Sequence, residues 1–205
     1  QRGLSPTMLV GYVLAGGRSR RFGRDKSLVV IDGRRAMEHQ VAILAPICDG
    51  PVTVVGTQGY EVLGAAVIGD VGGRQGPLDG LVTALDHAAS LGATRAAVVA
   101  VDLWNLTSEI VARLAGEFDE ALDDVVHLRA AGSRRDQPLC AVWSVTSCRP
   151  ALEEVFAAGE RSVVRAWTEL RRRAVDVDDS VLANVNTPED YARWSAARSA
   201  PCGDG

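Results

Sequence analysis

Short apolar runs alternate along this chain with longer stretches in which apolar residues recur every three or four positions. Residues 8–14 form the first run. It stops abruptly at Ala15-Gly16-Gly17, as a buried strand does when its carboxyl end feeds a loop. Residues 27–31 give a second short apolar segment, closed by the turn Asp32-Gly33. A helix is predicted over 36–47, with Met37, Val41, Leu44 and Ile47 on one face, then strands at 51–56 and 65–68. Residues 77–91 read as a helix ended by Gly92, and 95–101 as the most strand-like stretch, ending at Asp102. Thr107 is the expected N-cap of a helix through Phe118. Strands follow at 124–129 and 139–145. Helices are predicted at 146–158 and 162–173, a short strand near Val175, and a last helix over 189–198.

Strands alternating with amphipathic helices predict an α/β fold: a single-domain, Rossmann-like three-layer architecture with a mostly parallel sheet. In such sheets ligands sit beyond the carboxyl ends of the strands. Gly16-Gly17, Asp70 and Asp102 each follow a predicted strand, so that rule gathers three distant positions into one candidate site.

Composition narrows the function. The 205 residues are 47% hydrophobic and 23% charged, which suits one globular domain, and the net charge of −4 argues against nucleic acid as the partner. Cys48, Cys140, Cys148 and Cys202 form no C-x-x-C pair and no zinc-finger spacing, which fits reduced thiols in a cytoplasmic protein. His39, His87 and His127 share no metal spacing and read as surface or helix-face residues. The tryptophans read as core or rim, and Arg171-Arg172-Arg173 as a solvated helix end. No apolar run approaches the ~20 residues of a membrane helix, and no secretion signal is evident. The domain is expected over 8–198, with 1–7 and 199–205 as disordered tails.

The loop after the first strand carries most of the chemistry. Leu14-Ala15-Gly16-Gly17 lets the backbone approach a ligand and turn its amides toward an anion. Arg18, Arg20, Arg21, Arg24 and Lys26 add positive charge, so the segment suits a triphosphate. It matches neither the Walker A loop nor G-x-G-x-x-G.

The string L-A-G-G-x-x-x-R-x-G-x-D-K resembles the signature loop of the molybdenum cofactor guanylyltransferases, the MobA family. Further segments are similar to family motifs in the same order: Val67 to Asp70, Gly76-Pro77-Leu78-Asp79-Gly80, Ala100 to Asp102, Ala158 to Arg161, and Asn184 to Asp190. Two positions depart from the pattern. Asp79 stands where the family has a small residue, and Leu103-Trp104 follow Asp102 where it has Asp-x-Pro.

The resemblance implies transfer of GMP from GTP to the phosphate of molybdopterin, with release of pyrophosphate. It implies Asp102 as the ligand of Mg²⁺, a hard cation that prefers oxygen donors, and Arg21 and Lys26 as catalytic cations. Leu14, Ala15, Gly16, Gly17, Asp70, Gly76 and Pro77 would bind nucleotide, while Asn184 and Asn186 would contact the acceptor. Molybdenum-insertion proteins or target molybdoenzymes are the protein partners such an enzyme implies. Two other readings stay open. One is a related transferase using CTP or another phosphate acceptor. The other is a non-catalytic relative that binds nucleotide or pterin.

Overall fold

The computed structural model describes residues 7–15, 26–31, 33–56, 61–62, 64–69, 76–185 and 187–199, with Lys26, Pro188 and residues 197–199 by their backbone alone. Gly16, Gly17, Arg21, Asp70 and Asn186 therefore lie outside the described residues. The first strand, β1, is Leu9–Leu14, and a single 3-10 turn at Lys26–Leu28 precedes a small ribbon of β2 (Val30–Ile31) and β3 (Arg34–Arg35). Then follow α1 (Ala36–Leu44), β4 (Val52–Gly56), β5 (Ala66–Gly69), α2 (Pro77–Ser90), β6 (Arg95–Ala100) and α3 (Ser108–Gly116). The second half contains β7 (Val125–Ala130), β8 (Asp136–Ser144), α4 (Val145–Ala157), α5 (Val163–Ala166), β9 (Arg172–Val177) and α6 (Pro188–Ser199).

Seven strands form one sheet in the order β5-β4-β1-β6-β8-β7-β9. Only β8 runs against the others: it pairs antiparallel with β6 and β7, whereas β1–β4, β1–β6, β4–β5 and β7–β9 are parallel. The reason is local. The five residues between β7 and β8 can close only a hairpin, since a parallel return needs a crossover of a dozen residues or more.

Successive side chains of β1 point to opposite faces and divide the core in two. Leu9 and Val13 pack with Leu44 of α1 and with Val111 and Leu114 of α3. Val10, Tyr12 and Leu14 pack with Leu81 and Leu85 of α2, Leu152 of α4 and Trp167. Gly11 packs against the end of α1 and the residues that follow it. A Cβ there would meet Cys48 Sγ at 2.9 Å and Val52 Cγ2 at 3.1 Å. No helix among the described residues is long and apolar enough to cross a membrane.

Some expectations fail for physical reasons. The helix predicted over 36–47 ends at Leu44, two residues ahead of Pro46, whose missing N–H cannot continue the ladder. The helix predicted over 162–173 is a single turn, Val163–Ala166. Arg171 is no solvated helix end: its backbone N–H donates to Asp124 Oδ2 at 2.9 Å and its Nη2 to Asp124 Oδ1 at 2.8 Å. Arg172 opens strand β9, and Arg173 Nε donates to Asp123 Oδ2 at 2.9 Å. His127 is not on a surface but buried on β7, with Nε2 3.0 Å from Asp136 Oδ1 and its ring against Trp167. Thr107 is the N-cap of α3 as expected, its side chain accepting from the Ile110 N–H. Trp104, Trp143 and Trp167 are core residues.

Candidate active site

The chain leaves β1 for α1 and β4 on one side and returns through α2 to β6 on the other, so the direction of winding reverses between β1 and β6. A crevice opens beyond the strand ends at such a reversal. Here Leu14 lies beside Val55 of β4 and Ala100 of β6. The Ala15 N–H donates to Val55 O at 2.9 Å, and the Val101 N–H donates to Leu14 O at 3.2 Å. Leu14 and Ala15 are both buried, so they form the floor from which the Gly16-Gly17 segment departs.

Asp102 follows β6 directly and is half-buried at this edge. Its carbonyl oxygen accepts the Val185 N–H at 3.2 Å. That one bond places the segment of Asn184 beside the Asp102 loop, although 82 positions separate Asn184 from Asp102 in the chain. Asn184 Oδ1 is buried and has no hydrogen-bond partner among the described residues. A buried amide oxygen without a donor is costly, and a ligand N–H or hydroxyl would satisfy it.

Gly76 and Pro77 lie at the start of α2. Gly76 is the N-cap with φ 115°, a conformation that side chains strain, and Pro77 occupies the first turn, where its missing N–H costs no bond. A Cβ on Gly76 would lie 3.5 Å from Arg161 O, so the two motif segments 76–80 and 158–161 are neighbours. Asp79 is fully buried in the first turn of α2. The unpaired amides and dipole at a helix N-terminus favour a carboxylate, which gives the acidic departure from the motif a place within the fold. Leu103 and Trp104 are also buried, Leu103 in the core layer of α1 and α3 and Trp104 in a smaller cluster.

Two residues around the Asp102 loop carry no clear sequence motif. Gln40 is fully buried on α1 and donates from Nε2 to Leu103 O at 2.8 Å. A glutamine on the apolar face of a predicted helix was the available signal. Asn105 donates from Nδ2 to Ser180 O at 2.8 Å, and nothing in its sequence surroundings announces that role.

The strand-end floor, the carboxylate after β6 and the motif order coincide with one family. Residues 11–175 match the MobA-like NTP transferase domain. The chain belongs to that family. A molybdenum cofactor guanylyltransferase of Rhodobacter capsulatus is 33% identical over 187 residues, covering 90% of this chain and 94% of the relative. The crystal structure of molybdopterin-guanine dinucleotide biosynthesis protein A from Archaeoglobus fulgidus shares the fold, with a TM-score of 0.75 at 22% identity, covering 93% of this chain and 98% of that one. A manganese complex of the Mycobacterium tuberculosis protein Rv0371C has the same fold, with a TM-score of 0.61 at 16% identity over 91% of this chain and 97% of that one. Within this MobA-like transferase, hydrogen bonds join the Leu14–Ala15 strand end to Val101, next to Asp102, and join Asp102 to Val185, next to Asn184; Gly76 and Pro77 lie at the start of α2 beside Arg161.

Proposed function

We propose that residues 8–198 form a transferase domain that moves GMP from GTP to the terminal phosphate of molybdopterin, with release of pyrophosphate. The observation that carries this reading is the junction of three segments at the reversal point. Leu14 O holds the Val101 N–H, and Asp102 O holds the Val185 N–H. These two bonds join the end of β1, Asp102 and the segment of Asn184, which supports a shared site for nucleotide, carboxylate and acceptor.

In this scheme Gly16 and Gly17 direct backbone amides at the triphosphate, and Arg21 and Lys26 offset its charge. Asp70 and the Gly76-Pro77 turn flank the nucleoside, and Asn184 and Asn186 hold the acceptor. The acceptor phosphate attacks the α-phosphorus in line. The new P–O bond forms as the bond to the β-phosphate oxygen breaks, and pyrophosphate departs with that electron pair. The nucleophile is already an anion, so the protein needs no covalent intermediate; alignment and charge stabilisation supply the rate. Asp102 suits a divalent cation of the Mg²⁺ type. No group of three His, Cys, Asp or Glu among the described residues could hold a metal by itself, and Mg²⁺ is commonly held by one or two carboxylates together with substrate phosphates. Bound there, the cation would neutralise charge on the phosphates.

The GTP reading is tested by pyrophosphate release with molybdopterin and either GTP or CTP. GTP is expected to give the higher kcat/KM, and Lys26→Ala to lower turnover at least ~10-fold with an unchanged melting midpoint. A preference for CTP would assign the protein to a sister transferase. Tight binding without pyrophosphate release from either would favour the non-catalytic relative. Burial of Leu103 and Trp104 in apolar clusters supports the catalytic reading.

A further inference from the structure

Beneath the candidate site lies a small apolar cluster separate from the two main cores. Val29 and Ile31 come from the segment that follows Lys26, Trp104 from the loop of Asp102, and Val185 from between Asn184 and Asn186. Tyr191 and Trp194 of α6 pack against them. Each of the three site segments thus sends at least one side chain into one common cluster. Trp104 is its largest member, only 1% exposed, with Tyr191 and Trp194 edge-on at 5.9 and 5.4 Å between ring centroids.

The same residues fix the loop by hydrogen bonds. Trp104 Nε1–H donates to Val101 O at 2.9 Å, Val185 N–H to Asp102 O at 3.2 Å and Gln40 Nε2 to Leu103 O at 2.8 Å. Three consecutive carbonyls around the carboxylate are therefore held. One residue on, Asn105 Oδ1 accepts from Trp194 Nε1 at 2.7 Å, which ties α6 to the loop. A rigid proline after the carboxylate would restrict this turn by its ring; here packing and hydrogen bonds restrict it.

We propose that Trp104 is a positioning residue, the centre of a cluster that sets the Asp102 carboxylate relative to the segment of Val29 and Ile31 and to the Asn184 segment. This rests on the transferase reading above and deepens it. Groups that orient a metal ligand typically alter metal affinity or activity by about 10- to 100-fold when removed.

The test compares wild type, Asp102→Asn, Trp104→Leu, Trp104→Phe and Trp143→Leu. Trp143 is equally buried but lies in the core layer of α2 and α4, so it controls for general loss of packing. Rates of pyrophosphate release are measured well below each melting midpoint. Affinity for Mn²⁺ in the presence of a non-hydrolysable GTP analogue is measured by calorimetric titration. Trp104→Leu is expected to lower kcat and weaken Mn²⁺ each by about 10-fold or more, with KM for GTP changed less than about 3-fold. Trp104→Phe, which keeps a ring against Tyr191 and Trp194, should recover most of both. Trp143→Leu should lower the melting midpoint while leaving kcat and Mn²⁺ affinity as in wild type.

Wild-type kcat and Mn²⁺ affinity in Trp104→Leu would overturn the proposal, as would equal losses in Trp143→Leu. Should Trp104→Leu not fold, Trp194→Phe carries the test, because it removes the hydrogen bond to Asn105 and keeps an aromatic ring beside Trp104. Weaker Mn²⁺ binding in that variant supports the proposal, and unchanged binding overturns it. An inactive wild type, or an Asp102→Asn variant with full rate, is the separate failure of the transferase reading.

Discussion

On the β8-β7-β9 side of the sheet, carboxylates are held by arginines and amides of this same chain. Asp176 receives Arg129 Nε at 2.7 Å and Arg134 Nη1 at 3.0 Å, and Asp124 and Asp123 receive Arg171 and Arg173. Asp179 accepts the N–H groups of Gly132 and Ser133 at 2.8 and 3.0 Å. On the β5-β4-β1-β6 side, the anchors around Asp102 are main-chain carbonyls and a tryptophan cluster, and the Asn184 Oδ1 nearby has no partner among the described residues. Both sides are rich in polar chemistry, but on the first these carboxylates find their partners within the chain. A dense lattice of charge pairs thus marks architecture, whereas the buried Asn184 amide oxygen beside the winding reversal marks a place for a ligand.

The sharpest way to break that contrast is Asp102→Asn. If Asp102 serves the ligand, turnover should fall by roughly 100-fold or more, about 3 kcal/mol of transition-state stabilisation, because charge on the phosphates loses its anchor. The melting midpoint should stay within a degree or two. A variant that melted early and turned over normally would move Asp102 into the class of Asp124.

Asp124→Asn is the complementary change. The Arg171 guanidinium holds the Asp124 carboxyl down at about 2, from an ordinary 3.8. A carboxylate with a lowered folded-state pKa stabilises the fold above its unfolded pKa, and that contribution is lost as pH falls from about 4 towards about 2. It amounts to at most about 2 kcal/mol, since Arg171 is half exposed and solvent screens its side of the pair. In Asp124→Asn the stability at neutral pH should drop by that order, and its decline between pH 4 and 2 should flatten. Turnover should be unchanged. Denaturant melts across pH, paired with rate measurements, check both halves.

The same contrast explains what could be read from the sequence. Strand β1 and its Gly-Gly exit, Asp102 after the most strand-like run, and the α/β alternation follow from local apolar patterning, which short-range physics imposes. The arginine triplet did not. Arg171, Arg172 and Arg173 look like a helix end until Asp123 and Asp124, some 50 positions earlier, are known to hold Arg171 and Arg173. Trp104 was legible as a core residue, but its partner Trp194, which hydrogen-bonds the adjoining Asn105 from 89 positions away, was not. Nor did spacing show that Val185 would join Asp102. Such long-range pairings depend on how the layers stack, and local pattern carries little of that information.

The smallest expected effect lies at the hairpin between β7 and β8 and tests whether that side is purely architectural. Arg134 adopts φ 56°, and it is the positive-φ residue other than glycine among those described. The left-handed conformation costs a non-glycine residue about 1 kcal/mol. Arg134→Ala removes the contact with Asp176 and keeps the strain, whereas Arg134→Gly removes both. If backbone strain dominates the position, the glycine variant should be the more stable of the two. The margin should be under about 1 kcal/mol, because glycine gains freedom in the unfolded chain. Denaturant midpoints of the two variants measure the difference directly, with the exposed ion pair absent from both. A rate of pyrophosphate release that moved with either substitution would show that the hairpin reaches the reaction, and the division between an architectural side and a ligand side would have to be redrawn.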